Sequence, residues 1–496
     1  MRWQEFSDIL VVARELIGGR SEKEVERLFK KVLKGTPFAN KAFAVGGYIR
    51  DELVGIDSKD LDIVVEMNGG ARKLTEYLHK TLPDISRPRQ MGAGYPIWQI
   101  TFKKDIEYEG ETYATRNAVI EFADTQRESF PDPDSRQRVV EHGTLDEDAE
   151  RRDFTVNMLT KDLTTGELKD LTGTSINDIR KGVLRGHPGV DFNKILSDDP
   201  LRMIRLIRFQ VKYGWHVPLD VLKAVRANAE RIKIVSAERI HDELVKIMTL
   251  GKLGRAIKLM KVVGVLKHIF PEIEALRGTM HDTSRGVHQE GDVFKHTMLV
   301  LQNAKPGVNS QLAALLHDVG KPATREEIGD KIQFLGHETV GAEMAEAIMR
   351  RLKFDRDTIK TVVKLVESHM RPHSLDRTTG KISEKALRRF IRKMGEGMVD
   401  SILDLAEADA LGNIPPRNYV PELRDRIDAI RSAPIQISEK AVLDGNAIQR
   451  LLGVPPGPIV GEAIRFLNDQ EDEYAASGNQ LTEKEAEKLL LEKFGE

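Results

Sequence analysis

The chain has 496 residues, 40% of them hydrophobic and 31% charged, with a net charge of −2 and no cysteine. This length is too great for one ordinary core and predicts two to four compact units of globular type. Disulfides and thiolate zinc sites are excluded, and no apolar run approaches the ~20 residues of a membrane span. We therefore expect a cytoplasmic chain with no membrane partner.

The first part of the chain changes from a helical to a β-strand pattern. Residues 1–37 place apolar side chains at helical spacing and predict N-terminal helices. Residues 38–185 carry short β-branched runs between Gly, Asp and Pro, which predict a small mixed sheet with flanking helices. The predicted strands include AFAV (42–45), LDIVV (61–65), IWQITF (97–102), NAVIEF (117–122) and FTVNML (154–159). The polar segment 127–143 contains two prolines and is interpreted as a mobile loop.

The rest of the chain has an almost wholly helical pattern. Helical spacing continues from about Pro200 to the C-terminus, with Gly and Pro between the segments. We divide this part into a helical neck at 186–280, a histidine-rich region at 281–412 and a helical tail at 413–496. The predicted fold class is therefore α+β, with a small mixed-sheet head followed by mostly helical regions.

A Gly-Gly turn follows the first predicted strand and opens a predicted helix. Without side chains, Gly46 and Gly47 allow a triphosphate to approach the backbone, and the helix N-terminus adds partial positive charge. Arg50 can bind phosphate oxygens through its guanidinium group. Most Gly-Gly turns are ordinary turns, so this motif gains weight only from its neighbours.

Two aspartates belong to the next predicted strand. Asp60 and Asp62 are two residues apart, so they should face the same way, roughly 6.5–7 Å apart along the strand. Two carboxylates beside a phosphate-binding turn can hold the Mg²⁺ ions of in-line phosphoryl transfer, one for the triphosphate and one for the attacking 3′-hydroxyl. We therefore predict that both are catalytic Mg²⁺ ligands; the alternative is a solvated strand end.

The order of these motifs resembles that of polymerase-β-type nucleotidyltransferases. Residues 151–157 read RRDFTVN, which is similar to the signature of class II CCA-adding enzymes and bacterial poly(A) polymerases. Later segments resemble the next motifs of that family in the same order: residues 170–185, 198–209 and 236–248. The resemblance covers about residues 40–460 and implies template-independent transfer of nucleotides to RNA. It also implies that Arg152 and Asp153 bind nucleotide.

The next helix offers a pair of residues that can read a base. Asp199 only accepts hydrogen bonds and Arg202 only donates, so the pair matches the amino donor and ring-nitrogen acceptor of both cytosine and adenine. The resemblance assigns base reading to these positions, while Pro200 makes helix capping a compatible role for Asp199. Arg205 and Arg208 complete the predicted nucleotide-binding set. Arg205 is expected to meet the triphosphate, whereas Arg208 faces the other way and can form a structural ion pair.

A histidine-rich set follows the neck. An adjacent His-Asp on a helix can direct both side chains to one metal, with a distant His and Asp completing the site. The set resembles the HD phosphohydrolase superfamily, and its metal-binding pattern falls on His296, His317, Asp318 and Asp409, with His337 and His369 for a second metal. The resemblance also implies that Lys321 binds phosphate. We expect one or two divalent transition metals there and hydrolysis of phosphates at damaged RNA ends.

The resemblance predicts tRNA, CTP and ATP as partners, with CCA added to the tRNA 3′ end, and it gives no role to DNA. CC-adding, A-adding and poly(A)-adding enzymes share nearly all of these motifs and remain alternatives, and a homo-oligomer is left open. From a different class, the chain could be an HD phosphohydrolase whose head only binds RNA. The presence of Arg50, Asp60 and Asp62 argues against such an inactive head.

Overall fold

The computed structural model describes residues 20–57, 60–91, 96–129, 139–281, 289–329, 331–376, 383–432 and 441–495. The chain divides into two compact units, and the boundary falls between Val235 and Ser236, inside the predicted neck at 186–280. None of the helices in these described ranges combines the length and the apolar composition needed to cross a membrane.

A seven-stranded mixed sheet forms the centre of the first unit. Its strands are β1 (Ala42–Val45), β2 (Asp62–Val65), β3 (Arg89–Met91), β4 (Ile97–Thr101), β7 (Val119–Asp124), β10 (Leu159–Asp162) and β11 (Leu168–Asp170). Their spatial order is β11-β10-β1-β2-β7-β4-β3. Neighbouring strands are antiparallel except β2 and β7, which are parallel. Two separate pairs complete the strands: β5 (Ile106–Tyr108) with β6 (Glu111–Tyr113), and β8 (Gln126–Ser129) with β9 (Val139–His142).

Helices flank this sheet, as the sequence predicts. The helices of the first unit are α1 (Arg20–Val32), α2 (Gly47–Leu53), α3 (Gly70–Thr81), α4 (Leu145–Glu150), α5 (Ser175–Lys181), α6 (Phe192–Asp198), α7 (Arg202–Tyr213) and α8 (Leu219–Asn228). The apolar face of α1 is buried, and the ring of Phe29 lies 6.3 Å from that of Phe102 and 6.2 Å from that of Phe122. The predicted helices within residues 1–19 lie outside the described residues.

Two local predictions are wrong. Residues 154–159 do not form one strand, because Thr155–Asn157 form a 3₁₀ turn in which Asn157 Nδ2 donates to Asp153 Oδ1 at 2.8 Å. The segment 127–143 is not simply a loop: its described ends belong to β8 and β9, with Gln126 paired to His142. A polar composition concealed these strands, since their exposed side chains lack an apolar alternation. Residues 130–138 lie outside the described part of the chain.

The second unit is mostly helical. Its helices are α9 (Ala237–Thr249), α10 (Leu253–Val262), α11 (Leu266–Ile269), α12 (Pro271–Glu274), α13 (Val293–Asn303), α14 (Val308–Leu316), α15 (His337–Arg351), α16 (Arg356–Ser368), α17 (Met370–Asp376), α18 (Glu384–Met394), α19 (Glu396–Gly412), α20 (Val420–Arg431), α21 (Gly445–Leu452), α22 (Pro458–Ala476) and α23 (Glu483–Phe494). One antiparallel pair, β12 (Arg325–Ile328) and β13 (Lys331–Phe334), interrupts the predicted helical pattern. Gly329, at φ 61°, supplies the turn between them.

Antiparallel packing of these helices brings distant parts of the sequence together. Helix α13 packs along α19, and α15 packs along α16. The last three helices bury a separate apolar cluster: Leu443, Ile448, Val460, Ala463, Leu467, Leu481, Ala486 and Leu490. The fold therefore places the histidine-rich region among the long helices and the Gly-Gly turn at one end of the sheet.

Candidate active sites

The Gly-Gly turn lies at the end of β1. Gly46 has φ 72°, in the left-handed region that favours glycine. A Cβ atom at Gly46 would lie 3.5 Å from Arg152 Nη1, and one at Gly47 would lie 3.3 Å from Arg50 Nη2. The two glycines therefore allow two guanidinium groups to approach the backbone where α2 begins.

The two predicted carboxylates lie beside this turn. Asp62 pairs across the sheet with Val45, the residue immediately before Gly46. Asp60 precedes β2 rather than belonging to it, and it is near enough to Asp62 for its charge to raise the pKa of that carboxyl. The structure thus places Asp62 beside the Gly-Gly turn and Asp60 close to Asp62, although the strand begins later than predicted.

A third carboxylate, which the sequence analysis did not single out, lies on β7. Glu121 is the parallel partner of Asp62 and accepts a hydrogen bond from Gln99 Nε2 at 3.1 Å. Burial, Glu121 and Asp60 raise the pKa of Asp62 to about 6, while Arg152 lowers it. Asp62 is nevertheless an exposed residue, so the charge of Glu121 is the firmer of these causes. Such a group of carboxylates favours a bound cation.

Arg50 is buried and held by several partners. Its Nε and Nη2 atoms lie 2.8 and 2.7 Å from Asp51 Oδ1, and Nη1 donates to Asn157 Oδ1 at 2.5 Å. Its guanidinium carbon lies 4.8 Å from the ring centre of Phe209 and 5.1 Å from that of Tyr213. Arg50 therefore ties the turn to α7, and any phosphate contact must be made from this anchored position.

Arg152 and Asp153 lie in a network of ion pairs whose carboxylates are buried. Arg152 donates from Nε and Nη2 to Asp148 Oδ2 at 3.0 and 2.7 Å, and from Nη1 to the carbonyl of Asn157 at 3.3 Å. Arg205 Nε donates to Asp153 Oδ2 at 2.7 Å. Burial would raise the pKa of Asp153, but Arg205 and Asn157 hold it below its usual value. Asp153 and Arg205, both predicted to bind nucleotide, are thus partners of each other.

The predicted base-reading pair lies at the start of α7. Asp199 Oδ1 accepts the backbone N–H of Leu201 at 3.2 Å, which is a turn contact just before the helix rather than a helix cap. Arg202 donates from Nη1 to the carbonyl of Ile195 at 2.8 Å and from Nη2 to that of Arg151. Burial lowers the pKa of Arg202, against the charge of Asp199. The guanidinium carbon of Arg208 lies 4.3 Å from the ring centre of the adjacent Phe209.

The second unit gathers the predicted histidines and aspartates into two buried sets. In each set the possible ligand atoms lie within 4.8 Å of one another; the sets are His296, His317 and Asp409, and Asp318, His337 and His369. The residues come from α13, α15 and α19 and from the C-terminal ends of α14 and α16. Because His317 and Asp318 are adjacent in sequence, the two sets are neighbours.

Asp318 belongs to the second set and also contacts the first. Its Oδ2 atom lies 3.2 Å from His317 Nε2 and 2.7 Å from Lys321 Nζ, and its Oδ1 atom lies 3.5 Å from His337 Nε2. Burial would raise the pKa of Asp318, but His317, Lys321 and His296 hold it well below its usual value. Burial and the charge of His317 lower the pKa of His369 to about 3. His369 therefore stays neutral, which is the form that binds a metal.

Asp409 lies between two histidines. Its Oδ1 atom is 2.9 Å from His296 Nε2 and its Oδ2 atom is 2.7 Å from His373 Nε2. On the other side of the His296 ring, Glu290 Oε1 lies 3.2 Å from Nδ1. Burial would lower the pKa of His296, but Asp409 and Glu290 raise it to about 9. These carboxylates fix the orientation of the His296 ring.

Three family models match the chain in sequence order. They are the poly(A) polymerase head domain at residues 42–185, the probable RNA- and SrmB-binding site of polymerase A at 215–276 and the HD domain at 293–414. A CC-adding tRNA nucleotidyltransferase of Thermus thermophilus is 30% identical over 361 residues, 70% of this chain and 77% of the relative. An A-adding tRNA nucleotidyltransferase of Deinococcus radiodurans is 30% identical over 452 residues, 87% of this chain and 91% of the relative. The chain belongs to the family of tRNA nucleotidyltransferases and bacterial poly(A) polymerases.

The fold of this chain is also that of solved relatives. The Bacillus stearothermophilus CCA-adding enzyme in complex with CTP superposes with a TM-score of 0.60 and 19% identity, over 95% of this chain and 97% of the other. This likeness confirms the predicted α+β class, with a mixed-sheet head followed by helical regions. The chain is accordingly a nucleotidyltransferase that also carries an HD domain.

Both acidic regions of this nucleotidyltransferase fit divalent cations. Asp60, Asp62 and Glu121 offer carboxylate oxygens, the ligands that Mg²⁺ prefers. The HD sets combine imidazole nitrogens with carboxylates, as transition-metal sites do. His317 Nε2 is buried and makes no hydrogen bond to any described residue, although Asp318 Oδ2 lies 3.2 Å away. A bound metal would satisfy that nitrogen.

Sequence reasoning missed four polar residues near these sites of the nucleotidyltransferase: Glu121, His281, Glu290 and His373. His281 Nε2 lies 3.4 Å from Lys321 Nζ, beside the predicted phosphate contact. A weak signal existed for His373, which follows His369 by four residues and so shares a helical face with it. No comparable signal existed for Glu121, because its role depends on which strand pairs with β2.

Proposed function

We propose that this chain adds CCA to the 3′ end of tRNA, using CTP and ATP and no nucleic-acid template. The observation that carries this proposal is the position of Asp62 beside the Gly-Gly turn, with the carboxylates of Asp60 and Glu121 close to it. Asp60 and Asp62 would hold Mg²⁺, which neutralises charge on the triphosphate and promotes attack by the RNA 3′-hydroxyl. Gly46 and Gly47 leave room for the triphosphate at the backbone.

Several arginines of the chain would then position the nucleotide. Arg152 keeps one guanidinium nitrogen toward Gly46, and Arg50 keeps one toward Gly47. Arg205 and Arg208 lie on α7, which begins at Arg202, and Asp199 precedes that helix by three residues. Their part is to bind and orient the triphosphate, because a guanidinium carries a charge at every working pH.

The base would be read by Asp199 and Arg202. A guanidinium has five N–H donors, and the two contacts with backbone carbonyls fix the plane of Arg202 while leaving further donors for a base edge. Asp199 Oδ1 receives one backbone N–H, and its carboxylate has further lone pairs for an amino group. This pair accepts cytosine and adenine and leaves unpaired buried groups opposite uracil or guanine, which is costly.

A second candidate is an enzyme that adds only part of the CCA end. The CC-adding and A-adding relatives, each 30% identical to this chain, favour that alternative. Purified full-length protein should be given tRNA lacking CCA and tRNA ending in CC, with CTP and ATP supplied separately and together. Completion of CCA on the first substrate supports the proposal. Arrest after CC, or activity only on tRNA ending in CC, identifies a split enzyme, and ATP polymerised on generic RNA identifies a poly(A) polymerase.

For the HD domain we propose metal-dependent hydrolysis of phosphomonoesters or 2′,3′-cyclic phosphates at RNA ends. The complete pair of ligand sets supports one or two divalent transition metals, and Lys321 would hold the substrate phosphate. The metal content of purified protein should be measured, followed by hydrolysis with Mn²⁺, Ni²⁺ or Co²⁺. If the protein contains no transition metal and shows no hydrolysis, the proposal for the HD domain is wrong. The proposal for nucleotide addition does not depend on this result.

A further inference from the structure

A cationic cavity lies at the turn between α15 and α16, in the second unit. It has a volume of about 390 Å³, is open to solvent and is lined by Arg350, Lys353, Phe354, Arg356 and Ile359. Three of these five side chains carry positive charge. Such a lining favours an anionic ligand.

This cavity is remote from the HD ligands. His337 begins α15 and His369 follows the end of α16, whereas the cavity lies at the other end of this antiparallel pair. A helix of 15 residues is roughly 22 Å long at 1.5 Å per residue. The cavity is therefore not a part of the metal site.

Lys353 occupies a backbone position that normally takes glycine. Its φ is 62°, and the N–H groups of Lys353 and Phe354 donate to the carbonyls of Arg350 and Met349 at 3.1 and 3.0 Å. This hydrogen-bond pattern is the Schellman motif, whose left-handed residue is usually Gly. A lysine here costs stability, and strained residues of this kind are concentrated at functional positions.

Arg356 is likewise placed where helix stability disfavours it. It is the first residue of α16, and a positive charge at a helix N-terminus opposes the helix dipole. The neighbouring Asp355 carboxylate is engaged as the cap, since its Oδ1 atom accepts the N–H groups of Asp357 and Thr358 at 3.0 and 2.9 Å. Among the residues that the structure describes, neither Lys353 nor Arg356 forms an ion pair. Two unfavourable cations in one turn point to an anion outside the chain.

The turn also packs against the segment that matches a probable RNA-binding site. Arg351 donates from Nη1 to the carbonyl of Ile269 at 3.1 Å and from Nη2 to Glu272 at 2.8 Å. The ring of Phe354 lies 4.5 Å from that of His241, edge to face. Ile269, Glu272 and His241 all belong to the matched residues 215–276. The cavity thus extends that segment with cations contributed by the HD part of the chain.

We propose that the cavity at the α15–α16 turn binds backbone phosphates of the RNA substrate. Lys353 and Arg356 provide the contacts, and Arg350, which already bonds Glu346 through Nε at 2.8 Å, lines one wall. Phosphate contacts of this kind position RNA without reading its sequence. This inference depends on the proposed function in one respect, which is that the RNA substrate is tRNA.

The test is the double variant Lys353→Gln, Arg356→Gln in the full-length protein. Its Kd for tRNA lacking CCA should be measured by fluorescence anisotropy from about 50 to 300 mM salt. Loss of two phosphate contacts should raise Kd about three- to tenfold and reduce the slope of log Kd against log salt by about 1 to 2. In the addition assay KM for tRNA should rise while kcat at saturating tRNA is kept.

The matched control is Lys295→Gln, Lys331→Gln, which removes two exposed cations from the same HD segment outside the cavity. Lys353→Gly removes one charge and relieves the backbone strain, so it should fold at least as well as wild type and lose about one unit of slope. An unchanged slope, an equal loss in the control, or a raised KM for ATP alone overturns the inference. If wild type itself does not extend tRNA, the proposed function fails instead.

Discussion

At the residue scale, the negative charge of Asp62 is destabilised by two neighbouring carboxylates. Glu121 is its direct partner on β7, and Asp60 stands two residues before it. Arg152 supplies only part of the compensation, because its Nε and Nη2 atoms already bond Asp148. A site so charged is poorly stable when empty and gains from a divalent cation.

The first prediction concerns the pH dependence of stability without metal. The pKa of Asp62 is raised to about 6 in the folded chain, so ionisation of Asp62 opposes folding. We expect the free energy of unfolding of metal-free protein to fall as pH rises from about 4 through 6, and to fall less in Asp62→Asn. Urea denaturation at several pH values, with and without saturating Mg²⁺, measures this. Equal slopes for the two proteins would contradict the coupling, and Mg²⁺ should remove the difference near pH 7.

At the element scale, close backbone contact holds the HD dipeptide against α15. A Cβ atom on Gly320 would clash with the carbonyl of His337 and lie 2.7 Å from the N–H of Gly341. The dipeptide His317-Asp318 can therefore approach α15 only because residue 320 has no side chain. The same glycine sets the distance between Asp318 and His337.

The second prediction is that Gly320→Ala separates these two elements. The clash with backbone should lower stability by about 1–3 kcal/mol and reduce the metal bound by the HD domain. Urea denaturation and elemental analysis of purified protein measure the two effects. Gly397→Ala is the matched control, because Gly397 is exposed, lies in α19 and has nothing within 4 Å of its Cβ position. That control should be neutral or slightly stabilising and keep its metal.

The elements themselves differ in how far the sequence predicts them. The apolar spacing of α1 and the β-branched runs of β1, β2, β4 and β7 were sufficient to predict these elements, because each has a buried face. The pair β12 and β13 and the pair β8 and β9 were missed, since their strands are short and largely polar. An apolar alternation in the sequence arises where one face of a strand is buried, and these strands bury few side chains.

The sites show the same limit in another form. Asp60 and Asp62 belong to one short motif, and so do His317 and Asp318, so local spacing placed the members of each pair together. The sequence analysis joined His296, His337, His369 and Asp409 to the HD pair through the resemblance to the HD superfamily, because these residues are far apart in the sequence. Glu121 and Glu290 reach these sites only because distant segments of the chain come into contact. The spacing of residues in the sequence does not predict such contacts. The pairing of Asp153 with Arg205 was likewise hidden, although each residue was predicted separately to bind nucleotide.

At the scale of the whole molecule, the two sites lie in different compact units. The Gly-Gly turn, Asp62 and Glu121 precede Val235, and every HD ligand follows Ser236. No candidate ligand belongs to both sites. A substitution in one site should therefore abolish the activity of that site and leave the activity of the other site intact.

The third prediction uses two single variants of the full-length chain. Asp60→Ala should lower nucleotide addition about a thousandfold or more, through loss of an Mg²⁺ ligand, and leave HD hydrolysis intact. Asp318→Ala should do the reverse. Both assays are run on each protein after its folding is verified by circular dichroism. Loss of both activities in one folded variant would show that the two sites depend on each other.

The fourth prediction concerns removal of metal. Because a bound ion stabilises only the folded state, stripping with a chelator should lower the Tm of the second unit's transition and leave that of the first nearly unchanged when Mg²⁺ is absent throughout. Differential scanning calorimetry of wild type and His317→Ala measures this. The variant should show the lower transition before treatment and respond little to the chelator.

The parallel alignment of β2 with β7 has a consequence for the order of folding. Parallel neighbours cannot be joined by a tight turn, and the residues that face each other here, Asp62 and Glu121, are separated by the whole of α3 and β3 to β6. Closing so long a stretch is slow compared with forming a hairpin. The antiparallel strands β1 and β2 have a much shorter connection, which contains α2, so they can pair before β7 is synthesised. The acidic cluster is completed only after β7 has been synthesised and has docked.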